Sequence, residues 1–404
     1  MLVYESKLEG TQEQYRRIDE SIRTALFVRN ACIRLWMDGG ALSRNDLYKH
    51  CKALSDNPQF PWAKLLNSQA RQASAERAWA AIARFFDNCK NQEKGKKGFP
   101  KFKKNRINHG SVEYKQTGYK LCEDRKYINF TDGFCAGLFK LWGTRDLHYY
   151  QLSQIKRVRI VRRADGYYAQ FLIDYERVEK RSPSYKTVGI DVGLSFFLTD
   201  SEGNQIQNPR HLRKSEKSLK RLHRRFSKTQ KGSNNRAKFK NKLARAHLKV
   251  SRQRKDFAVK TARYVVQSND LVAYEDLKVR NMRRNHSLAK SISDAAWSQF
   301  REWVEYFGKV FGVVTVAVPP HNTSQKCSNC AEIVRKSLST RTHNCPHCGH
   351  IQDRDWNAAR NILEIGLRTV GHTGTLIASG ETDQYLGEAT PPSKSTRGKR
   401  KSKK

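Results

Sequence analysis

The sequence predicts a multidomain α+β protein. A mixed α/β catalytic domain in the C-terminal half carries a metal-binding insert, and a β domain ahead of it carries a helical insert. Three observations lead there. Two hydrophobic, strand-like runs, GIDVGL and AYEDL, hold acids that buried strands do not tolerate cheaply. Two Cys-x-x-Cys pairs, Cys327/Cys330 and Cys345/Cys348, interrupt the chain between the last strand-like run and the last helix-like run. Finally, 78 Lys and Arg stand against 38 Asp and Glu in 404 residues, a formal charge of +40.

The length suits two to four domains with substantial cores. A compact domain with that charge repels itself, so a polyanionic partner is the economical explanation. No run approaches the ~20 apolar residues that span a bilayer, which argues against a membrane partner. The start, MLVYESKLEG, lacks the basic-then-apolar layout of a signal peptide. Cys32, Cys51, Cys89, Cys122 and Cys135 show no paired spacing, and the total of nine is odd. Both facts favour a reducing compartment over a disulfide framework, and the expectation is a cytoplasmic nucleic-acid protein.

Residues 1–8 read as a strand. Thr11 with Gln14 forms a capping box for a helix that Ile18, Ile22, Ala25 and Leu26 continue towards Trp36, ended by Gly39-Gly40. A shorter helix with Ser43 as N-cap runs to Leu54. Ser68–Cys89 is a helix with a core-facing stripe of Trp79, Ile82, Phe85 and Phe86. Asn91–Asn105 is a basic loop with an aromatic on either side of a proline, suited to phosphates or else a solvated linker. Residues 158–175 read as two strands around an Asp165-Gly166 turn, in a β domain that also takes the N-terminal strand.

Residues 186–200 give two further strands. Two basic helices follow, roughly 211–230 and 236–267, with nineteen Lys or Arg and one acid, Glu216, between Arg210 and Lys255. Leu243, Ala246, Val250 and Phe257 form the second helix's apolar face, leaving its bases on the other. A strand at 271–277, a helix at 291–311, a strand at 313–320 and a helix from about Asp355 to Leu367 complete the order. The basic remainder, ending PPSKSTRGKRKSKK, should be disordered.

The acids carry the chemistry. Asp191 sits at the centre of one strand, Glu275 at the C-terminal end of another, and Asp355 in the first turn of the last helix, where the dipole favours an anion. Three acids together repel unless cations sit among them, and two magnesium ions ~4 Å apart stabilise both the attacking and leaving oxygens of a phosphodiester. Taken singly, Asp355 could only cap its helix and Glu275 could form a salt bridge. The four cysteines suit one structural zinc, two knuckles of two thiolates each, with no open position for water. His343, His347 and His350 lie near enough to replace one cysteine.

The element order describes an RNase H-like domain with helices on both faces of a mixed sheet. Here the chain resembles TnpB, the RNA-guided nuclease encoded by bacterial insertion sequences, which is similar to compact type V CRISPR effectors. GIDVGL, AYEDL, NTSQKCSNC, CPHCG and DRDWNAARNIL carry the resemblance, supported by SISDAAWSQF, GFPKFKK and ARQASAERAWAAIARFF. It implies a RuvC-like triad of Asp191, Glu275 and Asp355, with Asp353 an auxiliary at best. It also implies zinc on Cys327, Cys330, Cys345 and Cys348. Ala331 departs from the family, where a glycine usually allows positive φ in the first knuckle.

The implied domains are a β-barrel-like wedge domain (1–10 and 96–180) interrupted by a helical recognition domain (11–95), and a RuvC-like domain (181–320) with the basic pair 211–267. A zinc ribbon (321–352), the last helix (353–367) and a basic tail (368–404) follow. The implied partners are a guide RNA from the transposon end and double-stranded target DNA next to a short flanking motif, bound by a monomer. The candidate contacts are Lys97, Lys101 and Lys103 in the basic loop, and Arg213, Lys214, Lys220, Arg224, Arg225, Lys238, Lys242, Arg245, Lys249 and Arg252 on the basic helices. The competing readings are a strand-transfer transposase or resolvase with the same acids, a non-cleaving RNA-guided regulator, and an unspecific basic RNA-binding zinc protein.

Overall fold

The computed structural model describes residues 1–371 apart from 41, 92–96, 105–109, 144–145 and 338. Most of the predicted tail and the middle of the basic loop therefore lie outside the described residues. Strand β1 (Leu2–Glu9) alternates buried and exposed side chains. It enters the middle of a seven-stranded antiparallel sheet ordered β2-β6-β7-β1-β5-β4-β3. The other strands are β2 (Gly110–Lys115), β3 (Tyr119–Leu121), β4 (Tyr127–Phe130), β5 (Leu138–Trp142), β6 (Ile155–Arg163) and β7 (Gly166–Ile173). The two edge strands, β2 and β3, are consecutive in the chain and joined only by the turn Gln116–Gly118. The sheet must therefore curl until its edges meet. Tyr119 on β3 donates its hydroxyl to the Ile155 carbonyl at the start of β6 (3.0 Å), tying the closure. Leu8, Tyr114, Phe130, Phe139 and Phe171 fill the interior.

Three helices, α1 (Gln12–Gly39), α2 (Arg44–Asp56) and α3 (Ser68–Lys90), sit between β1 and β2. The capping box at Thr11 and Gln14 forms, Ser43 caps α2 through Asp46, and Gly40 ends α1 at φ 72°. Ile82 is buried as predicted and Trp79 and Phe85 pack beside it, but Phe86 is exposed, touching Trp36 only by its edge. The hairpin differs by one residue from the expected turn. Arg163 pairs with Gly166, so Ala164-Asp165 forms the loop and Gly166, at φ 141°, opens β7.

The C-terminal part holds β8 (Thr187–Asp191), β9 (Phe196–Asp200), β10 (Gln205–Gln207), α4 (His211–Ser227), α5 (Asn234–Gln267) and β11 (Leu271–Glu275). It continues with α6 (Val279–Met282), α7 (Ala289–Ala295), α8 (Trp297–Phe311), β12 (Val314–Val318), β13 (Thr342–Asn344), β14 (Ile351–Asp353) and α9 (Arg354–Thr369). Its sheet runs β10-β9-β8-β11-β12: β8 to β10 form an antiparallel meander, while β8, β11 and β12 are parallel. This is the mixed sheet the element order predicts. Val272 and Tyr274 face α5 and α8, whereas Leu271 and Ala273 face α9. Both faces are covered, which is why these strands read as hydrophobic throughout.

Two expectations are corrected here. The helix expected over 291–311 breaks into α7 and α8 at Ala296, which adopts φ 58°. Asp191 is the last residue of β8, not its centre. That position suits a charged side chain better, since it escapes the sheet's covered interior. Among the described residues no helix is long and apolar enough to cross a membrane.

Helix α9 lies close against β8 and β11 because two positions lack side chains. A Cβ on Gly189 would come within 2.2 Å of the Ala359 carbonyl oxygen and 2.6 Å of the Leu363 nitrogen. On the helix side, a Cβ on Gly366 would meet the Cβ of Ala273 at 2.5 Å. Gly189→Ala pushes the helix backbone off the strand, and backbone cannot yield as a side-chain tip can. The expected cost is about 3 kcal/mol, read as a lower urea midpoint, with activity falling further because the helix carries Asp355.

Candidate active site

The sheet topology brings the acids together. β8 and β11 are parallel neighbours with Ile190 paired to Tyr274, so Asp191 and Glu275 leave the same C-terminal edge side by side. The first turn of α9 delivers Asp355 to that edge, where it is 8% exposed. Asp353 caps the helix instead of joining the acids: its Oδ1 accepts from the Asp355 and Trp356 amides (2.9 and 3.1 Å). The Trp356 indole then donates to the Ser201 carbonyl (3.0 Å), pinning the start of α9 to the β9–β10 turn.

Burial dominates the electrostatics, and repulsion adds to it at Asp191. Burial, then Glu275 and Asp355, push the Asp191 carboxyl well above its usual range, and the Arg354 guanidinium only partly opposes them. Burial raises Glu275 too, against one stabilising contact: the buried Thr323 hydroxyl donates to Glu275 Oε1 at 2.5 Å. Arg354 donates twice to Asp355 Oδ1 (2.9 and 2.8 Å), and Arg341 lies 3.6 Å from Oδ2. The acids therefore have arginine as their counter-charge, and their oxygens present a hard donor set fit for divalent cations.

Thr323 is itself held by α9. Asn361 donates to the carbonyls of Thr323 and Lys326 (2.8 and 2.7 Å). Asn357 donates to the Lys326 carbonyl and accepts from the Ser328 amide (2.8 and 2.9 Å). Sequence reasoning missed Thr323, Arg354, Asn357 and Asn361. A signal was available for the asparagines: two poor helix formers four residues apart in a helix interior mark a face that hydrogen-bonds elsewhere.

The four cysteines meet as the spacing predicts. Their sulfurs all lie within 4.8 Å of one another, the one such set of three or more His, Cys, Asp or Glu donors among the described residues. Cys327–Cys348 and Cys330–Cys345 are separated by 3.7 and 3.6 Å. An ion with four ~2.3 Å bonds to sulfur requires edges close to this. Each knuckle closes on itself, the Ala331 amide donating to the Cys327 carbonyl and the Gly349 amide to the Cys345 carbonyl (3.0 Å each). Histidines 343, 347 and 350 are not members of the set.

The predicted nucleic-acid contacts divide. Arg213, Lys214, Lys220, Arg224 and Arg225 on α4, and Lys238, Lys242 and Lys249 on α5, are exposed, with Lys220 paired to Glu216. Arg245 and Arg252 tie α5 to the β6–β7 hairpin: Arg245 donates to the Ala164 carbonyl (3.1 Å), and Arg252 pairs with Asp165 (2.5 Å) and the Tyr168 hydroxyl (2.7 Å). In the basic loop, Lys101 and Lys103 are exposed, while the backbones of Lys97, Lys101 and Lys103 are bonded by Asn88, Arg29 and Asn30. An open cleft of about 460 Å³ starts at Leu194 and Ser195 in the turn after Asp191 and is lined by Arg210, Arg213 and Lys290 together with Glu216, which pairs with Lys290, and Asp294.

Two outcomes follow from this geometry. A carboxyl raised on folding costs nothing below its unfolded pKa near 4, and its full penalty applies once pH exceeds the raised value. Asp191→Asn in the ion-free protein should therefore raise the melting temperature, by roughly 2 °C per kcal/mol relieved, with a gain that shrinks as pH is lowered towards about 4 in calorimetry. Ala331 adopts φ 68°, where Gly349 serves the second knuckle at φ 70°. Ala331→Gly should stabilise the ion-loaded protein by about 1 kcal/mol, seen as slower loss of the ion to a chelator.

Comparison with known proteins places the chain among relatives by sequence and by fold. Residues 170–286 match the family model described as "Probable transposase", and residues 297–362 match "Cas12f1-like, TNB domain". InsQ of Escherichia coli K-12, whose name assigns it provisionally as an RNA-guided DNA endonuclease, is 30% identical over 79% of each chain. A Streptomyces pristinaespiralis protein with the same provisional assignment is 41% identical, although the match spans 45% of each chain. Two solved structures share the fold: Cas12f1 with guide RNA and target DNA (TM-score 0.53, 14% identity, 87% of this chain and 83% of that one) and CRISPR-Cas-phi3, titled a mini-RNA-guided endonuclease (0.54, 9%, 91% and 92%). With InsQ 30% identical and matched over four-fifths of its length, the chain belongs to the TnpB family.

Proposed function

We propose that the chain is an RNA-guided DNA endonuclease of a transposable element, hydrolysing target DNA next to a short flanking motif. The observation that carries this reading is the convergence of Asp191, Glu275 and Asp355 at one sheet edge, with a polar cleft beginning in the turn that follows Asp191. Three carboxylates at one sheet end offer the oxygen donors that two hard cations would need. Two magnesium ions, when bound, supply charge stabilisation to the attacking and leaving oxygens.

The chain's own residues do the rest. Asp191, Glu275 and Asp355 would hold the ions, and Thr323 orients Glu275 through its Oε1. Arg354, which donates to Asp355 in the ion-free chain, would be placed to face the phosphate. Arg210, Arg213 and Lys290 would guide the strand along the cleft. The mixed sheet is read as an RNase H-like, RuvC-type domain, the curled seven-stranded sheet as the wedge domain and helices α1 to α3 as the recognition domain. The cysteine cluster would carry one structural zinc, and the basic faces of α4 and α5 would hold the guide–target heteroduplex by its backbone.

A second reading has its own support. The matched description "Probable transposase" leaves room for strand transfer by the same acids. The test expresses the chain with its downstream DNA, isolates the RNA that co-purifies, and offers matching duplex DNA with magnesium. The expected outcome is one discrete RNA and hydrolytic cuts. Asp191→Ala should keep RNA and DNA binding while cleavage falls below detection. Joined strand-transfer products would favour the transposase, and cutting by Asp191→Ala would overturn the acid assignment.

A further inference from the structure

A cavity of about 610 Å³ lies between helices α1 and α3, the segment 102–104 and strands β2 and β6. One wall is apolar, with Ile22, Leu26, Val161 and the ring of Phe102. The other is cationic. Arg29 is 6% exposed, Arg77 is half-buried beside it, and Lys103 and Lys104 stand at the rim. Among the described residues no carboxylate lines this space.

Buried cations normally have carboxylate partners, because an unpaired buried charge costs several kcal/mol. The hydrogen bonds of Arg29 and Arg77 go to neutral groups, and Glu113 favours the charge of Arg77 only through space. Arg29 donates to Asn30 Oδ1 and the Lys101 carbonyl (3.2 and 3.3 Å), and Arg77 to the Ser111 carbonyl (3.3 Å). The neighbouring carboxylates are engaged elsewhere. Glu113 accepts from Arg157 at Oε1 (2.8 Å) and from Arg159 at Oε2 (2.9 and 2.6 Å), and Arg162 has Asp19 at 2.6 Å. Burial and then Arg77 lower the pKa of Arg29, and burial, Arg29 and Arg77 lower that of Lys103. An anion between them would reverse both penalties.

We propose that this cavity receives one unpaired nucleotide of the guide RNA, its phosphate among Arg29, Arg77 and Lys103 and its base against Phe102 and the apolar wall. The volume is that of a small-ligand pocket, which excludes a duplex. Charge is complementary to a phosphodiester, and an aromatic face accepts any base. RNA is favoured over target DNA because folded RNA presents unstacked nucleotides in loops, bulges and ends, whereas the target arrives paired.

The site rests on the guided-nuclease reading, and the test separates the two. Hydroxyl-radical footprints are compared for the full chain bound to its guide: unaltered, Arg77→Met, Lys103→Met, and Lys52→Met on the exposed surface of α2 as control. The expected result is one unpaired nucleotide protected in the unaltered chain and in the control but not in Arg77→Met or Lys103→Met. RNA affinity of these two should fall about tenfold and the salt slope by about one. The melting temperature of RNA-free Arg77→Met should be unchanged or higher, since a buried unpaired charge has gone. Lys103→Met keeps the test open should Arg77→Met fold poorly. Unchanged footprints in a chain that carries guide and cuts overturn the site alone, as does protection that appears only on target DNA. A chain with no discrete RNA overturns the guided reading and the site with it.

Discussion

Three carboxylates are forced to share one end of one sheet, and much of the C-terminal architecture can be understood as the means of holding them there against their repulsion. Parallel pairing of β8 with β11 puts Asp191 and Glu275 abreast, which no antiparallel pairing of the same two strands would do. The third acid arrives from the opposite face on α9, and it arrives only because Gly189 and Gly366 let helix and strand backbones touch. In the ion-free chain the charge is balanced by Arg354 and Arg341 on Asp355, while Asp191 bears most of the remaining penalty. A site strained in this way stores a preference for cations.

The cysteine-bearing insert is not an independent appendage. It leaves the sheet after β12, and its first residues supply Thr323 to Glu275. Asn357 and Asn361 grip that same segment from α9, through the carbonyls of Thr323 and Lys326 and the amide of Ser328. The helix that presents Asp355 thus also sets the residue that orients Glu275. The knuckle beginning at Cys327 follows at once, so an ion on the four sulfurs stiffens the segment that Thr323 belongs to. The acid site and the cysteine cluster are thus joined by a handful of amide hydrogen bonds, each worth about 1 kcal/mol.

What the sequence made legible follows from how local the cause is. Thr11 with Gln14, and Ser43, act within one helical turn, and both caps form as read. The cysteine spacing closes knuckles within five residues, and the positive φ expected at Ala331 is found. Glu275 reads correctly because a strand's C-terminal end is where its apolar run stops. Asp191 does not, because apolar Val192 and Leu194 continue past the strand end and disguise it. The break at Ala296 has no glycine or proline to announce it. Arg354 and Thr323 matter only through partners that the tertiary fold supplies, and no window of sequence contains those. The approach of the two edge strands, which one short turn joins, is equally invisible until β1 is seen at the sheet's centre.

The basic helices show how one composition serves two purposes. On α5 the arginines are engaged within the protein. Arg236 caps α4 through the Phe226 and Thr229 carbonyls, Arg245 and Arg252 hold the hairpin, Arg254 pairs with Asp294 (3.0 Å), and Arg263 pairs with Glu179 (3.2 Å). Lys238, Lys242 and Lys249 on the same helix face solvent without a carboxylate partner among the described residues. The division has a chemical basis. The planar guanidinium fork satisfies carbonyls and carboxylates at fixed angles and tolerates partial desolvation, whereas the strongly hydrated ammonium stays in water on a flexible stem until a phosphate arrives. Charge that would otherwise drive α5 from the hairpin instead fastens it there, and the residual +40 is borne mainly by lysines and arginines that can exchange water and counterions for a nucleic-acid backbone. The same excess makes the free protein self-repelling, so a bound polyanion would relieve the electrostatics of the fold as well as serve the proposed function.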